Sequence, residues 1–121
     1  MPNKKPKREL VELYLRFQWL LNSLKDLPTA ELLSTPGTEA LLAEIAQAWG
    51  RREPYPIYKL LLRNDLGHVN TLRKRIHQLE AAGFVEFRAM EDDARVKLVV
   101  PTQKALQYFS DYAALIREVG R

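Results

Sequence analysis

Cysteine is absent from the 121 residues. Disulfides, thiolate metal sites and cysteine nucleophiles are therefore excluded, and the composition fits a reducing, cytoplasmic setting. The only histidines, His68 and His77, stand nine residues apart without an acid or cysteine arrangement that could hold a metal, so no metal site is expected. No stretch approaches the ~18 consecutive apolar residues needed to cross a bilayer, and the basic N-terminus lacks the apolar segment of a signal peptide, so no membrane association is expected. Glycine occurs five times and nowhere forms a phosphate-cradling loop. Ser23, Ser34 and Ser110 lack an activating-base motif. Neither an enzyme nor a cofactor is expected. A formal net charge of +4 is too small to indicate nucleic acid by itself, so the distribution of charge has to be read instead.

What the chain does have is 46% hydrophobic residues, enough for one core. Residues 1–8 carry Lys4, Lys5, Lys7 and Arg8 with Pro2 and Pro6, the composition of a flexible basic arm. One domain is expected over residues 9–121. From Glu9 to Leu24, Leu10, Leu13, Tyr14, Phe17, Leu20, Leu21 and Leu24 recur at helical spacing. Val11, Leu15 and Trp19 form a second stripe on the other side, so one face can serve the core while the other calls for a partner. Leu27 to Gly37 reads as a turn around a short helix. Thr38 to Trp49 reads as a second long helix with Leu41, Leu42, Ile45, Ala46 and Trp49 inward. Arg51 to Pro56 reads as a loop, and Pro56 as the first residue of a helix running to about Arg63 with Ile57, Leu60 and Leu61 inward.

The most informative segment follows. Val69, Leu72, Ile76 and Leu79 share one face of a helix spanning about 69–82, which Gly83 ends. Alternating residues over about 84–101 predict a hairpin with Glu91, Asp92 and Asp93 at its tip. Thr102 then caps a helix over about 102–119, striped by Ala105, Leu106, Phe109, Tyr112, Ala113, Ile116 and Val119. Helix, short turn, basic helix and ribbon make a winged helix-turn-helix, a mainly α fold with a small β-hairpin flanked by N- and C-terminal helices.

A recognition helix must be apolar behind, for rigidity, and must offer long donors in front to reach base edges and phosphates. Between Val69 and Leu79 there are three basic residues of Lys/Arg type and no acidic one. Asn70, Thr71, Lys74 and Gln78 occupy the outward face, with Asn70, Thr71 and Lys74 placed toward bases. Arg73, Arg75 and His77 flank them toward phosphates. Arg88, Arg95 and Lys97 are expected to project from one ribbon face toward a minor groove or its phosphates. The acidic tip would be repelled by phosphate. A salt bridge from Asp93 to an arginine of the neighbouring helix would resolve this and fix the wing.

Leu79-Glu80-Ala81-Ala82-Gly83-Phe84-Val85 resembles the Leu-Glu-x-x-Gly-Leu-Val motif of the multiple antibiotic resistance regulator (MarR) family, and Asp93-Ala94-Arg95 resembles its Asp-x-Arg wing motif. Thr102 starts the next helix as the family's Leu-Thr-x-x-Gly does, with Pro101 in place of Leu and Ala105 in place of Gly. The resemblance implies a homodimer built from the first and last helices, recognition helices in successive major grooves and Arg95 in a minor groove. Independently, the two-sided first helix and the apolar last helix carry more hydrophobic surface than one small domain buries. Val11, Leu15, Trp19, Phe109, Tyr112 and Ile116 are the expected dimer contacts. Two-fold symmetry then predicts a palindromic double-stranded DNA site with half-sites ~34–36 Å apart.

The expected function is a sequence-specific transcriptional regulator, a dimeric repressor. The competing readings are a winged-helix module that docks a protein, since fold does not fix function, and a non-specific DNA-binding accessory protein. Trp19, Trp49, Tyr55 and Tyr58 could line a pocket for the small aromatic effectors that the resemblance implies, or fill the core and dimer seam. The basic arm could track phosphates or simply solubilise the end.

Overall fold

The computed structural model describes residues 5–27, 30–35 and 37–120; Lys4 of the basic arm and Pro28 and Pro36 of the connection after the first helix lie outside them. Helices α1 (Arg8–Leu24), α2 (Ala30–Leu33), α3 (Thr38–Gly50) and α4 (Ile57–Leu60) are followed by a 3-10 turn, Asn64–Leu66. Helix α5 (Val69–Ala81), strands β1 (Val85–Ala89) and β2 (Lys97–Pro101), and helix α6 (Gln103–Val119) complete the order. The protein is mainly helical with one antiparallel hairpin, a winged helix.

The core forms where stripes from α3, α5 and the ribbon meet. Leu41, Leu42 and Ile45 of α3 pack with Leu72, Ile76 and Leu79 of α5, Leu60 of α4, and Phe84 and Val99 of the wing. Burying side chains of this size contributes about 1.5–3 kcal/mol each. In α3 the inward residue of the last turn is Ala48, while Trp49 is 42% exposed. Leu41, Ile45 and Ala48 follow the four-and-three helical spacing, and one further residue rotates Trp49 out of the stripe. In α6 the buried positions are Ala105, Tyr108 and Val119, with Phe109 and Tyr112 half-buried beside them. Tyr108 is thus a core residue that the apolar stripe omitted.

Helix α1 also departs from expectation. Of both its stripes only Leu20 is buried, and Leu10, Val11, Leu13, Tyr14, Leu15, Phe17, Trp19 and Leu21 remain exposed. The helix lies against α6 and stands away from the core, so neither face is fully covered within one chain.

Residues 51–56 form more than a loop. The Tyr55 carbonyl accepts the Val99 N–H at 2.9 Å, and Pro56 bridges Leu98, adding a rung at the edge of the ribbon. An edge position tolerates proline, which has no N–H to donate. Pro56 is extended, at φ −62° and ψ 141°, and precedes α4 instead of opening it. Helix α4 stops at Leu60, and Arg63 takes a non-helical ψ of 84°. Its side chain is drawn into bonds to three other residues, described below.

Candidate nucleic-acid interface

Helix α5 is held at both ends. His68 precedes it, and its Nδ1 accepts the Asn70 N–H at 3.2 Å, a side-chain cap on the first turn. At the other end Gly83 adopts φ 82°, a left-handed conformation that glycine takes without strain and that turns the chain into the wing. The start of α6 clamps this turn. Thr102 Oγ1 donates to the Gly83 carbonyl and accepts the Ala105 N–H, and Thr102 N–H donates to Phe84 O at 3.0 Å. Lys104 Nζ donates to Ala82 O at 2.6 Å and lies 5.0 Å from the centre of the Phe84 ring. A cation at this helix end also complements the helix dipole.

With Leu72, Ile76 and Leu79 buried, the opposite face is left to solvent. Asn70, Thr71, Arg73, Lys74, His77 and Gln78 are exposed, and Arg75 is half-buried. Asn70, Thr71, Lys74, Arg75 and Gln78 line a shallow groove whose far wall is Thr35, in the connection between α2 and α3. Thr35 is not among the residues expected from the sequence; nothing local marks it, because tertiary packing alone brings it beside α5. Two flanking residues are already engaged. The Arg75 guanidinium lies over Gly37 at the start of α3, and the His77 ring meets Phe87 of β1 edge-on at 6.3 Å between centres.

The wing differs from expectation in two respects. Arg88 is paired with Leu98 and Lys97 with Ala89, and directly opposed residues share a face, so pleating puts Arg88 and Lys97 on opposite faces of the ribbon. Their register, which no single strand reveals, decides this. One of the three tip carboxylates, Asp93, is also neutralised locally. Asp93 accepts Arg95 Nε at 3.1 Å, Arg95 Nη2 at 3.3 Å and the Arg95 N–H at 3.1 Å, so the salt bridge is made within the wing and not to the neighbouring helix. The Arg95 guanidinium, followed by its backbone N–H, holds the Asp93 carboxyl below its usual range. Arg88 donates to Glu86 at 3.1 and 2.6 Å. Among the described residues Arg73, Lys74 and Lys97 have no carboxylate partner, which leaves their charge to the solvent-facing surface.

The aromatic residues considered for a pocket are dispersed. Trp49 lines a groove between α3 and α6 with Phe109, Tyr55 is hydrogen-bonded to Glu44, and Trp19 and Tyr58 are exposed on α1 and α4. A separate cavity of about 430 Å³ lies between α1, α2, α3 and α6, lined by Leu21, Leu24, Leu33, Tyr108 and Tyr112 with Lys25, Ser34 and Glu39. Tyr108 donates to Glu39 Oε2 at 3.0 Å, and burial, followed by that bond, pushes its hydroxyl above its usual pKa. Of the expected dimer contacts, Val11, Leu15, Trp19 and Ile116 are exposed, while Phe109 and Tyr112 are half-buried. Among the described residues no cluster of three or more acid, histidine or cysteine side chains could hold a metal ion, and no helix is long and apolar enough to cross a membrane.

No protein-family model and no curated protein sequence matches the chain. Its similarity is to solved structures. A probable transcriptional regulator from Pseudomonas aeruginosa is 22% identical, with 93% of this chain and 77% of that one covered and a TM-score of 0.56. A MarR protein from Peptoclostridium difficile is 23% identical over 100% and 74% of the two chains, with a TM-score of 0.51. MepR of S. aureus, in a structure of its DNA complex, gives a TM-score of 0.64 at 11% identity, with 95% and 87% covered. The chain therefore has the fold of the MarR-type winged-helix proteins.

Proposed function

We propose that this protein is a sequence-specific double-stranded DNA-binding transcriptional regulator, acting as a homodimeric repressor that excludes other proteins from its site. The observation that carries this reading is the outward face of α5. Asn70, Thr71, Lys74 and Gln78 stand on a helix whose back buries Leu72, Ile76 and Leu79, in a groove open to solvent, with Arg73 beside them and no carboxylate from Val69 to Leu79. A rigid helix presenting amides and unpaired cations is what base-edge and phosphate recognition requires. That MepR, with the same fold, is seen in a complex with DNA supports it.

The dimer is supported by α1. A helix with large apolar side chains exposed along both stripes costs solubility unless it is covered, and Ile116 of α6 extends the same kind of surface. A second copy packed there through Val11, Leu15, Trp19, Phe109, Tyr112 and Ile116 would bury it and space two recognition helices across a palindrome. The Tyr108 and Tyr112 cavity is where a small aromatic effector would be received, between the helices proposed for dimerisation and α3.

The test is selection of bound sequences from a random duplex pool at near-physiological salt, with a Lys74→Ala control and the mass in solution measured alongside. An enriched palindrome that the control loses, bound by a dimer, is the expected result. Retention without enrichment that vanishes with salt would replace this reading with non-specific binding. No retention at any salt would favour a protein-docking module.

A further inference from the structure

Between α4 and α5 the chain makes one residue, Arg63, serve three elements. Its Nε and Nη2 donate to the two carboxylate oxygens of Asp65 at 2.8 and 2.6 Å, in the 3-10 turn just before α5. Its Nη1 donates to Glu44 Oε1 on α3 at 2.9 Å and also to the hydroxyl oxygen of Tyr55. Tyr55 in turn donates its O–H to Glu44 Oε1 at 2.8 Å. The same tyrosine's backbone carbonyl holds Val99 of the wing at 2.9 Å. One guanidinium thus ties the segment leading into the recognition helix to α3 and to the edge of the ribbon.

We propose that Arg63 is a positioning residue for DNA recognition, fixing the angle between α5 and the wing through Asp65, Glu44 and Tyr55. This rests on the reading of α5 as the DNA-contacting helix. Arginine suits the task because its planar fork bonds Asp65 with two parallel N–H groups while a third N–H reaches across, which a lysine point charge cannot do. The network is not the source of the fold's stability. Arg63 and Asp65 keep 33% and 63% of their side-chain surface exposed, so that pair contributes little; Glu44 keeps 21% and its pair with Arg63 contributes modestly, whereas Leu60 and Leu72 of the core are fully buried. Its removal therefore leaves the core in place and frees the connection. A recognition constellation has to be held within about 0.5 Å and 10–20° of its productive geometry, so that freedom is enough to weaken base contacts.

The test compares wild type with Arg63→Met, Arg63→Lys and Tyr55→Phe, the last removing the hydroxyl bridge in case the arginine variants fail to fold. Thermal unfolding checks the fold, DNA affinity is measured across a salt series, and NMR of the DNA-free protein reports the relative orientation of α5 and the ribbon and the exchange rate of the Val99 amide. Expected are cooperative unfolding, an altered α5-to-wing orientation with faster Val99 exchange, and affinity for the preferred duplex lower by on the order of tenfold. Arg63→Lys should not restore it, and the slope of log affinity against log salt should stay unchanged. A slope lower by about one would make Arg63 a phosphate contact and overturn the proposal. Unchanged orientation and exchange would overturn it too. If wild type binds no DNA, the functional reading fails on its own, while the orientation measurement still decides whether Arg63 positions α5.

Discussion

The guanidinium of Arg75 lies over the backbone of Gly37, where a β-carbon would stand 2.4 Å from Nη1. Gly37 has φ 85° and is the residue from which α3 starts. A side chain there meets two obstacles of unequal weight. The guanidinium is the far end of a flexible chain and can move, whereas the left-handed backbone costs an L-residue roughly 1–2 kcal/mol. Gly37→Ala should therefore lower the unfolding free energy by about that amount in a urea titration. The same cost should persist on an Arg75→Ala background; a cost that vanished there would place the effect in the contact.

The wing cations are predicted to be unequal. Lys97 has no carboxylate partner among the described residues, while Arg88 is bonded to Glu86. Lys97→Ala should weaken binding to all duplexes alike and reduce the log-log salt slope by about one. Arg88→Ala should do less, and Glu86→Gln should tighten binding by releasing Arg88. Equal losses for the two basic residues, in filter-binding or fluorescence titrations, would show that Glu86 yields its partner to phosphate.

Thr102 joins the end of α5 to α6 with one hydroxyl, donating to Gly83 O and accepting from Ala105 N. Removing a threonine cap costs about 0.5–2 kcal/mol. Thr102→Ala should fall in that range by chemical unfolding, and Thr102→Ser should recover most of it. A serine variant as unstable as the alanine one would trace the loss to the threonine methyl.

Acid should weaken the Arg63 network. The Tyr55 hydroxyl and then the Arg63 guanidinium hold the Glu44 carboxyl below its usual 4.5, and Arg63 holds Asp65 below 3.8. Folded-state values below the unfolded ones mean that the contribution is fully present above about pH 5 and is lost as pH falls through the depressed range. The network's share of the stability is small because its groups are partly exposed, so unfolding free energy measured from pH 6 to 3 should decline, and Glu44→Gln should decline only slightly less steeply. At the alkaline end the Tyr55 hydroxyl is raised above 10.0, chiefly by its bond to Glu44, so its contribution disappears only as pH rises past that value.

Much of the fold was legible because its signals are local. Val69, Leu72, Ile76 and Leu79 set the buried face of α5 by spacing alone, and Leu72, Ile76 and Leu79 are buried in the structure. Thr102 at the head of an apolar stripe marked the start of α6, and its hydroxyl makes that cap. Local signals also misled where a stripe admitted two registers. The apolar spacing points Trp49 inward where Ala48 is buried, and it passes over Tyr108, because a shift of one residue on a helix keeps the periodicity while rotating the face by about 100°.

The sequence by itself determined that this chain forms helices and one ribbon in winged-helix order, with a basic helix between apolar ones, because propensity, caps and periodicity act within a few residues of each other. Tertiary structure alone decided what that order presents. The strand register placed Arg88 and Lys97 on opposite faces, α1 was left largely uncovered, Arg75 came to rest on Gly37, and Arg63 gathered Glu44, Tyr55 and Asp65. These depend on which distant residues meet, and that is fixed by core packing and strand pairing across the whole chain, not by any one segment.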